Sequence, residues 1–187
     1  PFRIQHLYVS PGHNFFGHHG RPAGRHPVLE RCEIECMAGQ GVRGDRFFGH
    51  KDNYKGQITF FAWEIFEALR REIGQVDVRP SDTRRNVITA GVELKTLIDQ
   101  EFEIQGVRFA GVEECRPCHW MNDAFRDERA ENWLKGNGGL RARIVGRFRT
   151  GDALDRALAE ARGVVGKLLL QRIRRERRQH RAVAGQN

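Results

Sequence analysis

The chain has little of what marks a membrane, secreted or multidomain protein. No apolar run approaches the ~18 residues that a membrane-spanning helix requires. The opening residues Pro1-Phe2-Arg3-Ile4-Gln5-His6 lack the basic start, apolar middle and small-residue cleavage site of a secretory leader, so the expected compartment is the cytoplasm. Cysteine is scarce, with four in 187 residues. Outside a secretory context that number argues against a disulfide framework. Neither an internal repeat nor an interdomain linker is visible, which leaves one domain. Its composition is ordinary for a globular protein, with 39% apolar, 9% aromatic and 30% charged residues. A chain of this length buries about 70% of its unfolded surface and needs neither a disulfide nor a metal to fold.

The formal charge of +8 invites a nucleic-acid reading, so its distribution matters. Six arginines (Arg172, Arg174, Arg175, Arg177, Arg178 and Arg181) stand against Glu176 in residues 171–187, a net +5 that leaves +3 for residues 1–170. The body of the chain is nearly balanced. A few arginines aimed at one anion can serve a phosphate site there without forming a DNA-binding surface.

The pattern predicts many short strands. Phe2 to Val9 reads as a strand ended by Pro11-Gly12, and residues 13–27 as a loop holding His13, His18, His19 and His26. Arg31 to Met37 alternates, with Cys32, Ile34 and Cys36 on one face, as a half-buried strand does. Ile58 to Phe61 suits a buried strand, and Trp63, Phe66, Leu69 and Ile73 continue at helical spacing. Residues 80–85 read as loop and Asn86 to Thr89 as strand. Glu101 to Ile104 and Val107 to Val112 flank Gln105-Gly106 as a hairpin. Two short helical stretches and a glycine-rich turn then lead to a strand from Leu140 to Phe148. From Asp152 the apolar positions Leu154, Leu158, Ala161, Val165, Leu168 and Leu169 follow a 3.6-residue period, which predicts a long C-terminal amphipathic helix with an arginine-rich end. The expected fold class is mainly β (α+β), a mixed or antiparallel barrel with peripheral helices.

Cys32 and Cys36 read as small buried hydrophobes on one strand face. Cys115-Arg116-Pro117-Cys118-His119 offers more. It matches the haem-attachment spacing, but that attachment belongs outside the cytoplasm. A thioredoxin-like dithiol would open a helix in a βαβ unit, whereas this segment follows a hairpin. A zinc site would need the loop histidines, because there is no second Cys-x-x-Cys pair. The remaining reading is a single reactive thiolate favoured by Arg116, serving as a soft metal ligand or a sulfur carrier.

In chain order, Gly41-Val42-Arg43-Gly44-Asp45-Arg46, Arg84-Arg85-Asn86-Val87, Cys115-Arg116-Pro117-Cys118 and Lys135-Gly136-Asn137-Gly138-Gly139-Leu140-Arg141-Ala142 resemble a MOSC domain, the module named after the C-terminal domain of molybdenum cofactor sulfurases. The resemblance covers most of residues 1–152, leaving 153–187 as a helix and basic tail packed on the same domain. It implies a β-rich barrel and a molybdenum cofactor (molybdopterin), or a sulfur atom destined for one, held at a single cysteine. Cys118 matches the family's Pro-Cys position and is the implied catalytic residue and molybdenum ligand. Some members receive sulfur from a pyridoxal-phosphate-dependent cysteine desulfurase, whose pyridoxal phosphate would here belong to a partner. Others hold molybdenum, supplied by a cofactor donor, and reduce small N-hydroxylated substrates.

Residue chemistry points the same way, since a phosphate-bearing pterin needs fixed positive forks, permissive backbone and one soft ligand. Arg84 and Asn86 match the family's cofactor-contacting pattern and, at alternate positions of an extended segment, would share a side. Arg43 and Arg46 flank Asp45 in a turn that either caps itself or binds cofactor. Gly138 and Gly139 would bring backbone amides to an anion beside Lys135 and Arg141, or form only a turn. The histidine loop is either a solvated cover or a lid that binds phosphate or moves protons. The alternative function is a non-enzymatic module whose basic C-terminal helix contacts nucleic acid or an acidic partner. That helix lacks interleaved aromatics for base stacking, which disfavours nucleic acid.

Overall fold

The computed structural model describes residues 2–15, 22–147 and 164–170, and these run in the order β1 (Arg3–Val9), β2 (Leu29–Glu30), β3 (Glu33–Met37), β4 (Gly41–Val42), β5 (Ile58–Ala62), α1 (Trp63–Ile73), β6 (Val87–Ala90), β7 (Glu101–Ile104), β8 (Val107–Glu114), α2 (Trp120–Phe125), α3 (Ala130–Leu134), β9 (Leu140–Arg147) and β10 (Val164–Leu169). Short 3-10 turns occupy Pro80–Thr83 and Leu94–Leu97. Seven strands form one mixed sheet in the order β2-β1-β6-β5-β9-β8-β7, in which only the β5/β6 pair is parallel. A second sheet has the order β10-β3-β4. None of the described helices is long and apolar enough to cross a membrane.

Local chemistry accounts for these elements. Gln105 and Gly106 both take positive φ, 52° and 79°, as a two-residue hairpin loop of this hand requires, and they set Ile104 opposite Val107. In α1, Phe66, Leu69 and Ile73 are buried at helical spacing, and Gly74 ends the helix in the left-handed region at φ 67°. Strand β5 is buried on both faces. Neighbouring Phe60 and Phe61 enter different cores, the first between the two sheets with Leu7, Ile34 and Leu168, the second beneath the helices with Phe66, Leu69 and Phe125. Removing either ring would cost about 3–5 kcal/mol by the usual measure of such cavities.

Two expectations need correction. Residues 164–169 form strand β10, which pairs antiparallel with β3, rather than a stretch of C-terminal helix. Gly166 weakens a helix here, and strand pairing buries Leu168 completely while leaving Leu169 about half exposed, a two-residue alternation that prevails over the 3.6-residue pattern. The rest of that predicted helix, with its basic end, lies outside the described residues, as do His18 and His19. Cys36 is buried, but Cys32 is exposed, because it precedes β3 rather than lying within it.

Candidate functional site

A cleft of about 160 Å3 is lined by Arg46, Arg84, Arg85, Arg116 and Arg141, both cysteines of the Cys115-Cys118 loop, and His13, Phe47, Tyr54 and Trp120. It lies where the turn after β4, the segment before β6 and the loop between β8 and α2 converge.

A buried carboxylate organises its floor. Asp45 is only 7% exposed. Its Oδ2 accepts hydrogen bonds from the Ser10 N–H at 3.1 Å and the Asn86 Nδ2 at 3.0 Å, its Oδ1 accepts from the Phe47 N–H at 3.2 Å, and Arg46 lies 3.5 Å away. Asn86 locks this node to the sheet. Its Oδ1 accepts from the Thr59 N–H and hydroxyl at 3.0 and 2.9 Å, and its Nδ2 also donates to the Tyr8 carbonyl at 3.3 Å. The carboxamide of Asn86 has thus used both donors and both acceptor sites, so it positions Asp45 from behind the cleft.

Arg84 does not lie in an extended segment. It takes φ 52° and ψ 32° after the Pro80–Thr83 turn, and this left-handed residue defeats the alternation that would have turned Arg85 away. Both arginines therefore line the cleft. The Arg84 guanidinium donates to the Gly12 carbonyl at 2.9 Å and lies over the Phe15 ring. Arg46 donates to the Arg84 carbonyl at 3.2 Å and stacks on Phe47. The Arg85 guanidinium grips the Gly138 carbonyl with Nε at 3.2 Å and a terminal nitrogen at 3.0 Å, and the Thr83 carbonyl at 2.7 Å.

The electrostatics register a shortage of negative charge. Burial, then the neighbouring Arg46, lowers the pKa of Arg84 to about 10, with Asp45 opposing. Burial also lowers that of Arg46, against Asp45 and reinforced by Arg85. His13 is held below its ordinary value by burial, then by Arg46 and His50. Tyr54 is pushed up by burial, while Arg141 and Arg46 pull the other way. Two to three guanidiniums thus share one carboxylate in a partly dry site.

The cysteine loop sits against the glycine turn. Cys115 is 4% exposed, its N–H donates to the Gly139 carbonyl at 2.8 Å, and its thiol lies within electrostatic range of Arg46 and Tyr54. Cys118 is exposed. A Cβ on Gly138 would stand 2.1 Å from the Cys115 carbonyl oxygen, so glycine is needed there for close approach of two backbones. The Gly138 N–H is already bonded to Glu114 Oε1 at 3.0 Å, so it is not turned toward an anion in the cleft.

Of the residues singled out from sequence, Arg46, Arg84, Arg141 and Cys118 line the cleft, and Asp45 and Asn86 support it. Arg43 lies elsewhere, paired with Glu35 and stacked on Phe48. Lys135 is exposed and donates to Asn132. Gly139 borders a different cavity. Arg141 sits at the rim, 3.4 Å from Glu113, which also binds Lys55. Arg85 is the main addition, and only the left-handed turn at Arg84 reveals it. Among the described residues no group of three or more His, Cys, Asp or Glu side chains could hold a metal ion, and His18 and His19, on which the zinc reading of the cysteine loop also draws, lie outside them.

The family model of the MOSC domain matches residues 18–166. Solved structures with a similar fold include the YuaD protein of Bacillus subtilis, with a TM-score of 0.61, 15% identity, and coverage of 76% of this chain and 87% of that one. YiiM of Escherichia coli follows with a TM-score of 0.53 and 14% identity, covering 78% of this chain and 63% of YiiM. YiiM of Geobacillus stearothermophilus has a TM-score of 0.54 and 12% identity, with coverage of 77% and 68%. At these identities the likeness is one of fold. A comparison with curated proteins gives no significant match.

Proposed function

The chain belongs to the MOSC domain family, and from that premise we propose that its arginine cleft binds the anionic part of a molybdenum cofactor while Cys118 supplies the thiolate ligand. The family is generally linked to molybdenum cofactor binding or sulfur transfer. The observation that carries the reading is the crowding of the buried Arg84 and the partly buried Arg46 around the single carboxylate of Asp45. Guanidiniums so placed are short of an anion, and a phosphate would relieve both their repulsion and their desolvation. At about 160 Å3 the cleft is smaller than the ~300–1,000 Å3 of sites that engulf a whole ligand, so it accepts the charged end of a larger group.

The donor set fits the cofactor: forked cations for phosphate, and a soft, exposed sulfur for the metal. When bound, the cofactor supplies a redox-active metal for two-electron reduction of a small N-hydroxylated substrate. The protein's share is placement. Asp45 and Asn86 hold Arg46, Arg85 holds the Gly138 turn, and that turn presses on Cys115 and so sets the cysteine loop. His13, whose pKa burial and then Arg46 hold below its ordinary value, would serve as a proton acceptor at the cleft wall.

The exposure of Cys118 also favours a second reading, in which a pyridoxal-phosphate-dependent cysteine desulfurase loads sulfur onto it as a persulfide for delivery to a metal centre. Either way the implied partner is a cofactor donor or desulfurase.

The test is molybdenum, pterin and persulfide analysis of wild type, Cys118→Ala and Cys115→Ala made in a cofactor-competent host. The cofactor reading predicts molybdenum with pterin in wild type and Cys115→Ala, and loss of the metal in Cys118→Ala. Persulfide on Cys118 without pterin would select the sulfur carrier. Equal metal content in wild type and Cys118→Ala would refute the assignment of that residue.

A further inference from the structure

On the far side of the Gly136–Gly139 turn lies a second cavity of about 710 Å3, within the ~300–1,000 Å3 range of small-molecule sites. Its walls are apolar. Ala62 and Ile65 come from the β5/α1 junction, and Val92, Leu94 and Ile98 from the segment between β6 and β7.

Its charges oppose those of the arginine cleft, with Glu64, Glu93 and Glu114 facing Lys95 alone. Two of these carboxylates are anchored by backbone. Glu64 Oε1 accepts the Gly91 N–H at 2.8 Å and Glu114 Oε1 the Gly138 N–H at 3.0 Å. None of the three is in an ion pair among the described residues. Carboxylates without a counter-ion beside apolar walls disfavour an anionic guest and attract a cation with an apolar body. Water among such walls finds few partners, so an apolar guest displaces it at little cost.

We propose that this cavity binds a small apolar molecule bearing one cationic nitrogen, with its body against Ile65, Val92 and Ile98 and its charge toward Glu93. Glu93 is exposed at the edge of the cavity and has no cation partner among the described residues, which leaves its carboxylate available. The site stands apart from the cleft proposed for the cofactor and does not depend on that reading.

Calorimetric titration and amide chemical-shift mapping with three probes of one shape test it: phenethylammonium, phenethyl alcohol and hydrocinnamate. Phenethylammonium should bind about threefold to fivefold more tightly than the alcohol, the effect of one solvent-screened ion pair, and hydrocinnamate more weakly than either. Shifts should centre on Val92, Lys95, Asn137 and Gly139. Ala62→Phe should abolish binding, and Glu93→Gln, a surface change that leaves the fold intact, should remove most of the preference for the ammonium probe. Equal affinity for ammonium and alcohol, tighter binding of hydrocinnamate, an undiminished preference in Glu93→Gln, or shifts centred on Arg84 and Cys118 would each overturn the proposal.

Discussion

The two hollows of this protein share a wall and differ in almost everything else. The cleft is small, lined by five arginines and two thiols, and backed by the buried Asp45 and Asn86. The larger cavity is apolar, with three carboxylates and one lysine. Between them stands the turn that ends at Gly139, held from the cleft side by Arg85 on the Gly138 carbonyl and from the cavity side by Glu114 on the Gly138 N–H. The glycines of this turn therefore act as a partition. A motif that sequence suggests as an anion cradle works here through close packing of backbone on backbone, and guanidiniums line the cleft instead.

The largest expected effect comes from the carboxylate that makes the cleft possible. Asp45→Ala removes the partner of Arg46 and three hydrogen bonds at once, and should destabilise the protein by about 3–5 kcal/mol, read as a lower midpoint of urea unfolding. A loss below about 1 kcal/mol would show that Asp45 is worth no more than a surface ion pair. Next comes the partition. Gly138→Ala places a methyl group against the Cys115 carbonyl oxygen and should cost about 1–3 kcal/mol, shifting the amide signals of Cys115 and Gly139 on both sides of the wall. Unchanged signals would separate the two hollows.

The smallest effect is a pH dependence. The pKa of His13 is lower in the folded state than its ordinary 6.5, so the unfolded chain binds the extra proton first as pH falls. Stability is then lost on acidification through that value toward the folded pKa. His13→Gln should narrow the difference between unfolding midpoints at neutral and mildly acidic pH by a few tenths of a kcal/mol, small because the group is partly solvated. An unaltered difference would remove His13 from the electrostatics of the cleft.

Sequence and structure agree where physics is local. The β7/β8 hairpin is readable because Gln105-Gly106 carries its own turn chemistry, and α1 because its apolar residues recur at one period. Agreement fails where tertiary pairing decides. Residues 164–169 carry a helical pattern, yet an open edge of β3 takes them as a strand. The site divides in the same way. Arg46, Arg84, Arg141 and Cys118, which the family resemblance picks out, line one cleft, whereas Arg85 is hidden by a left-handed residue that no alternation rule anticipates. Lys135 and Arg43 have the right chemistry in the right motifs, but each is committed to a neighbour outside the cleft.

That contrast supplies the most direct test of the central claim, that the arginines of the cleft, with the buried Arg84 among them, hold an anionic cofactor. Pterin content should be measured in wild type, Arg84→Gln and Lys135→Gln purified from one cofactor-competent host. Arg84→Gln should lose tenfold or more, about the 1.4 kcal/mol or more expected of a charge-assisted hydrogen bond, with Lys135→Gln matching wild type. Full pterin content in Arg84→Gln, or its loss in Lys135→Gln alone, would contradict the claim.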